Sequence, residues 1–164
     1  MADFSSLSGY AKGSLVLILL GCLLDVIGFG SPYWISAPGQ HQGLWKLCIS
    51  DICYDLLNAR QYLPGWLRAT QFFETVGLIL IGAAGILLIL TILVQMFRDK
   101  KIFPILNAIL CFAAAGCIFV GVIIYGTQDG FSSYLSWAFA LCIVGGILVG
   151  VAGVLLIVSA VARG

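Results

Sequence analysis

Charged residues are scarce in this chain of 164 residues, because Asp, Glu, Lys and Arg together make up 9% while hydrophobic residues make up 62%. A water-soluble domain of this size cannot hide so much apolar surface in its core. Histidine occurs once, at His41, and no serine, threonine or cysteine lies beside a base in a nucleophile motif. We therefore expect an integral membrane protein that is not an enzyme and holds no cofactor or metal.

Long apolar runs take up most of the sequence. A transmembrane helix needs about 20 apolar residues to cross a hydrocarbon core about 30 Å thick. Four stretches meet this length, and we predict membrane spans at about 13–33, 75–97, 102–125 and 137–161. The chain 1–164 is then one all-α membrane domain, with two longer connections at 34–74 and 126–136.

Basic residues in the short connections predict the orientation. Lys and Arg near the ends of spans favour the cytoplasmic side. One side carries Lys12, Arg98, Lys100, Lys101 and Arg163. We therefore expect both termini in the cytoplasm and the segments 34–74 and 126–136 outside the cell. The net charge of +1 and the balanced charges of 34–74 give no basic stripe, so a nucleic acid partner is not expected.

A cleavable signal peptide is the alternative for the first span. Residues 15–24 resemble an apolar signal core, and Ser36 and Ala37 are small residues downstream of it. Cleavage there would leave three spans and an external N-terminus. Asp25 and the Pro-Tyr-Trp run between the two parts favour a retained span.

Two cysteines separated by four residues predict a stapled hairpin in the segment 34–74. If Ser50 and Asp51 form a two-residue turn, Cys48 faces Cys53 at a distance that a disulfide tolerates. The other facing pairs would be Ile49 with Ile52, Leu47 with Tyr54, Lys46 with Asp55 and Trp45 with Leu56. The alternatives are two free cysteines in an unstructured connector, or a redox pair, which usually has C-x-x-C spacing.

The same segment carries a family resemblance. Its motif residues are Trp34, Gly43, Leu44, Trp45, Cys48 and Cys53. This pattern resembles the signature of the claudin and peripheral myelin protein superfamily, and the short gap between the cysteines is most like lens fibre and epithelial membrane proteins. Arg68, in the stretch before the second span, resembles an arginine that claudins carry there.

The resemblance implies a left-handed four-helix transmembrane bundle with a small antiparallel extracellular sheet. Trp34, Gly43, Leu44 and Trp45 would anchor that sheet, and a disulfide would join two of its strands. It also implies a plasma membrane protein of cell junctions that associates with copies of itself in cis and in trans, as adhesion molecule, paracellular barrier or channel. The alternative is an auxiliary subunit that modulates an ion channel or receptor.

The partners implied by the resemblance are membrane lipids, further copies of the chain, other claudin-like proteins, or a channel. Exposed side chains of the hairpin tip and of the second loop would make the contacts. We expect these to be Ile49, Asp51, Phe131 and Tyr134.

Asp25 is the acidic residue well inside the first predicted span. A carboxylate there costs a few kcal/mol unless it is protonated, paired or hydrated. One interpretation is a hydrogen-bonded acid that reaches Tyr125 on the third span; the other is part of an ion or proton pathway. Glu74 is expected at the mouth of the second span, in a salt bridge with Arg68.

Overall fold

The computed structural model describes residues 9–58, 60–94 and 100–163. These residues form four long helices, α1 (Gly9–Gly30), α2 (Gly65–Leu93), α3 (Ile102–Gly126) and α4 (Trp137–Arg163). Each is long and apolar enough to cross a membrane. The predicted connection between spans two and three includes Arg98, which lies outside the described residues.

Proline marks the ends of two helices on the same side of the bundle. Pro32 follows the end of α1, and Pro64 immediately precedes α2 in an extended conformation. Proline lacks the backbone N–H that a helix interior requires, so it is tolerated at these boundaries. α2 consequently begins ten residues before the predicted span at 75–97, and its 29 residues make it about 44 Å long. Its first turns therefore extend beyond a hydrocarbon core about 30 Å thick.

Glycines allow α1 and α4 to pack closely. A methyl group added at Gly21 would lie 3.0 Å from the carbonyl oxygen of Gly145, and one added at Gly145 would lie 2.9 Å from that of Gly21. The two backbones touch at this crossing, as small residues permit in membrane helices. α2 packs mainly on α3, and α3 on α4. The outward faces are apolar, with exposed side chains such as Leu19, Ile79 and Val154, as expected of helices in a lipid bilayer.

A four-stranded antiparallel sheet lies between α1 and α2 in the chain. Its strands are β1 (Ile35–Ala37), β2 (Gln40–Gln42), β3 (Lys46–Ile49) and β4 (Ile52–Asp55), in the order β1-β2-β3-β4. A short 3-10 helix, Arg60–Tyr62, leads from β4 towards α2. Four membrane helices with a small antiparallel sheet confirm the predicted fold class.

The register of the β3–β4 hairpin is the one predicted. Ile49 pairs with Ile52 and Cys48 with Cys53, and the pairing continues to Lys46 with Asp55. A disulfide joins Cys48 to Cys53, whose Cα atoms are 4.0 Å apart. The predicted redox and free-thiol alternatives are therefore not what the structure shows for these two cysteines.

The hairpin turn has an unusual backbone for its residues. Ser50 and Asp51 have φ values of 50° and 70°, the geometry of a type I′ turn. Residues other than glycine, asparagine and aspartate are disfavoured there because Cβ crowds the backbone, so Ser50 fits this conformation less well than Asp51 does. The Ser50-Asp51 sequence is therefore not the one that a type I′ turn prefers. The Cys48–Cys53 disulfide, one residue pair away, keeps the two strands together at this turn.

We expect the double substitution Ser50→Asn with Asp51→Gly to stabilise the protein by about 1 kcal/mol, since Asn-Gly is the preferred type I′ pair. Thermal unfolding of the purified chain in detergent should then rise by about 2–4 °C. The control is Ser132→Asn with Ser133→Gly, at positions where φ is not positive. An equal rise in both variants, or none in the first, would contradict this reading of the turn.

Candidate functional site

Trp34 joins the sheet to the helices. Its side chain is fully buried, and its indole N–H donates a 2.8 Å hydrogen bond to the carbonyl of Gly28 near the end of α1. Its ring makes edge contacts with Tyr125 of α3, at 4.9 Å between centroids, and Phe139 of α4, at 5.6 Å. One side chain thus contacts three of the four helices directly below β1.

The Gly43-Leu44 step forms a second attachment. A methyl group on Gly43 would overlap the carbonyl oxygen of Ser31, so only glycine lets the chain pass this close to the end of α1. Leu44 is fully buried, and its carbonyl accepts a 2.7 Å hydrogen bond from the Gln71 side chain of α2. The sequence did not predict this contact of Gln71 with the sheet, because the second span was expected to start after it.

Trp45 and the second loop complete the junction between sheet and bundle. Trp45 is half-buried, with its ring 5.4 Å from that of Phe29. The second loop bonds to the sheet through its backbone, since the N–H of Ser36 donates to the carbonyl of Tyr134 over 2.8 Å. An isolated bridge between Ile35 and Leu135 continues this contact, so the β1 edge of the sheet is covered.

Phe131 does not lie where the sequence analysis expected it. It is partly buried, and its ring centroid is 5.3 Å from both Trp66 and Tyr125. The residue therefore belongs to the aromatic cluster under the sheet, and the expectation of an exposed contact residue is corrected. Tyr134, in the same loop, is exposed as expected.

The hairpin tip is the exposed part of the sheet. Ile49, Ile52 and Tyr54 are 41%, 59% and 53% exposed, and the turn residue Asp51 between them is exposed as well. On this side of the hairpin, Leu56 near the helices is buried, whereas the apolar residues at the tip are exposed. No partner strand covers β4 among the described residues, so the apolar tip and a free strand edge lie side by side.

This arrangement of helices, sheet and disulfide agrees with a comparison to known families. The family model described as PMP-22/EMP/MP20/Claudin family matches residues 11–156 of the chain. The chain belongs to that family. It is a family of structural membrane proteins with four spans, related to cell junctions and without enzymatic activity. No curated protein matches this claudin-family chain individually.

Arg68 and Glu74 of this claudin-family chain do not form a pair. Arg68 lies exposed on α2, whereas Glu74, less than two turns further along, is fully buried. Neither carboxyl oxygen of Glu74 has a hydrogen-bond partner among the described residues. The expected salt bridge between the two side chains is therefore wrong, because α2 turns Glu74 into the bundle.

Asp25 also lacks its expected partner. The side chain is fully buried on α1, but it does not bond to the Tyr125 hydroxyl, which has no hydrogen-bond partner in the described parts of the chain. Asp25 instead lies beside Glu74 of α2 and Cys142 of α4, with one ligand atom from each within 4.8 Å of the others. These three residues are called here the acid–thiol cluster. They come from three different helices, so their spacing in the sequence did not predict that they meet.

Proposed function

We propose that this claudin-family protein mediates contacts between cells at plasma membrane junctions, with the hairpin tip as its contact surface. The observation that carries the proposal is the exposure of Ile49, Ile52 and Tyr54 on a disulfide-stapled hairpin. Apolar and aromatic side chains presented by an ordered strand pair are typical of protein interfaces. The tip would make the trans contacts between opposite membranes. A barrier would form where many copies are arranged in a row in each membrane.

The attachment of the sheet supports this role. Trp34, Leu44 and Gln71 link the sheet to the helices through buried rings and hydrogen bonds. A contact surface held this firmly loses little conformational entropy on binding, which favours affinity. We assign Trp34, Gly43, Leu44 and Trp45 as structural anchors and Ile49, Asp51 and Tyr134 as contact residues.

Lateral association has a separate candidate surface. β4 is an edge strand, and its backbone groups facing away from β3 are open to pairing with a second chain. The opposite edge is closed by the bridge between Ile35 and Leu135. Copies side by side in one membrane could therefore pair through β4 only, which gives dimers, and a line of copies would need a second contact between dimers.

The sheet would face the cell exterior. Lys12, Lys100 and Lys101 lie at the ends of helices remote from the sheet, on the side that the positive-inside rule assigns to the cytoplasm. A disulfide on the sheet side fits an oxidising compartment.

We expect Tyr54→Ser to weaken aggregation of cells that express this chain alone, because it removes an exposed aromatic ring from the hairpin tip. The matched control is Tyr62→Ser, which removes a tyrosine that is 81% exposed but lies outside the sheet. Aggregation of transfected cells without endogenous junction strands should fall several-fold for the first variant only, at equal surface expression. Freeze-fracture of the same cells should show strands. Dispersed protein that copurifies with a larger complex would instead indicate an auxiliary subunit.

Orientation is tested by epitope tags at two positions. A tag at the N-terminus and a second one inserted between Gln128 and Asp129 should be labelled together only after permeabilisation. In intact cells, antibodies should reach the tag at Asp129 alone. Labelling of the N-terminal tag on intact cells would overturn the proposed orientation and support cleavage or miscounting of the first span.

A further inference from the structure

The acid–thiol cluster is the chemically unusual part of the bundle. Asp25 and Glu74 are both fully buried, and apart from a weak contact between the Asp25 carboxyl and the Cys142 thiol, their carboxyl oxygens lack hydrogen-bond partners among the described residues. Cys142 is also fully buried and faces them from α4. Buried polar groups in native proteins are normally hydrogen-bonded, and buried carboxylates are normally paired or coordinate a metal. Two buried carboxyl groups and a thiol gathered in this way suit a positively charged ligand.

Space for the cluster is provided by glycine on the facing helices. A methyl group at Gly121 of α3 would overlap the Glu74 carboxyl, and one at Gly28 of α1 would lie 2.6 Å from the Cys142 sulfur. A methyl group at Gly145 of α4 would come within 3.5 Å of the Asp25 side chain. The Glu74 carboxyl and the Cys142 sulfur thus occupy space that a Cβ on the neighbouring helix would fill, whereas Asp25 is only in ordinary contact with Gly145.

We propose that Asp25, Glu74 and Cys142 form a binding site for one divalent transition-metal ion of the Zn²⁺ type. A coordinating cysteine is a thiolate, so binding releases the thiol proton, and two carboxylates with one thiolate would leave a net charge of −1 around a divalent ion. The site becomes neutral, as a low-dielectric bundle favours, when one of the two carboxyl groups keeps its proton. The sulfur ligand selects Zn²⁺ or Cd²⁺ over Mg²⁺ and Ca²⁺, which prefer oxygen ligands.

The distances agree with this assignment. Around a tetrahedral Zn²⁺, a sulfur and an oxygen ligand are about 3.6 Å apart. The ligand atoms of the cluster lie within 4.8 Å of one another, so side-chain movements of about 1 Å bring them to coordination distance. Three protein ligands leave one position open, as at sites that exchange a water or a further ligand.

The position of the site gives it a structural consequence. Asp25 and Cys142 each lie about 7 Å from the end of their helix nearest the sheet. The site is therefore just beneath the Trp34 contacts, and a bound ion would tie α1, α2 and α4 together at that level.

The test uses Cd²⁺ as the probe, with the purified full-length chain in detergent. We expect about one Cd²⁺ per chain, an ultraviolet sulfur-to-cadmium charge-transfer band, and a higher thermal unfolding temperature. Cys142→Ser should abolish the band. Cys111→Ser is the matched control, because Cys111 is equally buried but lies outside the cluster, and it should keep the band.

The carboxylates are tested by Asp25→Asn combined with Glu74→Gln, which keeps the shape of both side chains and removes their charge. Cd²⁺ affinity should fall at least about 100-fold although every thiol remains. Absence of bound Cd²⁺ in the unaltered chain would overturn the proposal and leave the acids as a proton-sharing pair. Equal binding by the unaltered chain and Cys142→Ser would overturn it too, whatever the stability of the double variant.

Discussion

The hydrogen bond from the buried Trp34 indole to the Gly28 carbonyl is the contact on which the rest of the sheet depends. A sheet of four strands with three or four residues each is too small to be stable alone, so its buried contacts must come from packing against the helices. Trp34 supplies these contacts by packing on Tyr125 and Phe139, while its indole N–H donates to the Gly28 carbonyl near the end of α1. Losing a buried ring of this size typically costs about 3–5 kcal/mol.

The two ends of the small sheet therefore differ in burial. Next to the helices, Leu44 and Leu56 are buried and Gln71 bonds the backbone of the sheet to α2. At the far end, Ile49 and Ile52 are apolar but exposed, and the disulfide holds their strands together. The protein thus keeps an exposed apolar surface ordered without burying it, which is the property that a contact between cells requires. The same helices leave two acids and a thiol together beneath the sheet.

Patterns within short sequence segments predicted the structure of those segments, such as the β3–β4 hairpin. The hairpin register followed from the alternation of residues around Cys48 and Cys53, since a shift of one residue would separate the cysteines. Contacts between helices were not predictable in the same way. The backbones of α1 and α4 approach closely at Gly21 and Gly145 and at Gly28, and sequence spacing did not predict these positions, because helix rotation is set by tertiary packing. Hydropathy likewise missed the first turns of α2, which are helical but less apolar.

Amide hydrogen exchange tests most directly whether Trp34 holds the sheet on the bundle. The comparison is between Trp34→Phe, which keeps a ring but removes the N–H donor, and Trp137→Phe, which alters a half-exposed tryptophan at the same end. With the disulfide intact, the account predicts about tenfold or greater acceleration of exchange in β2 and β3 for the first variant only, since a lost buried hydrogen bond costs about 1–3 kcal/mol. Unchanged exchange in Trp34→Phe, or equal acceleration in both variants, would contradict it.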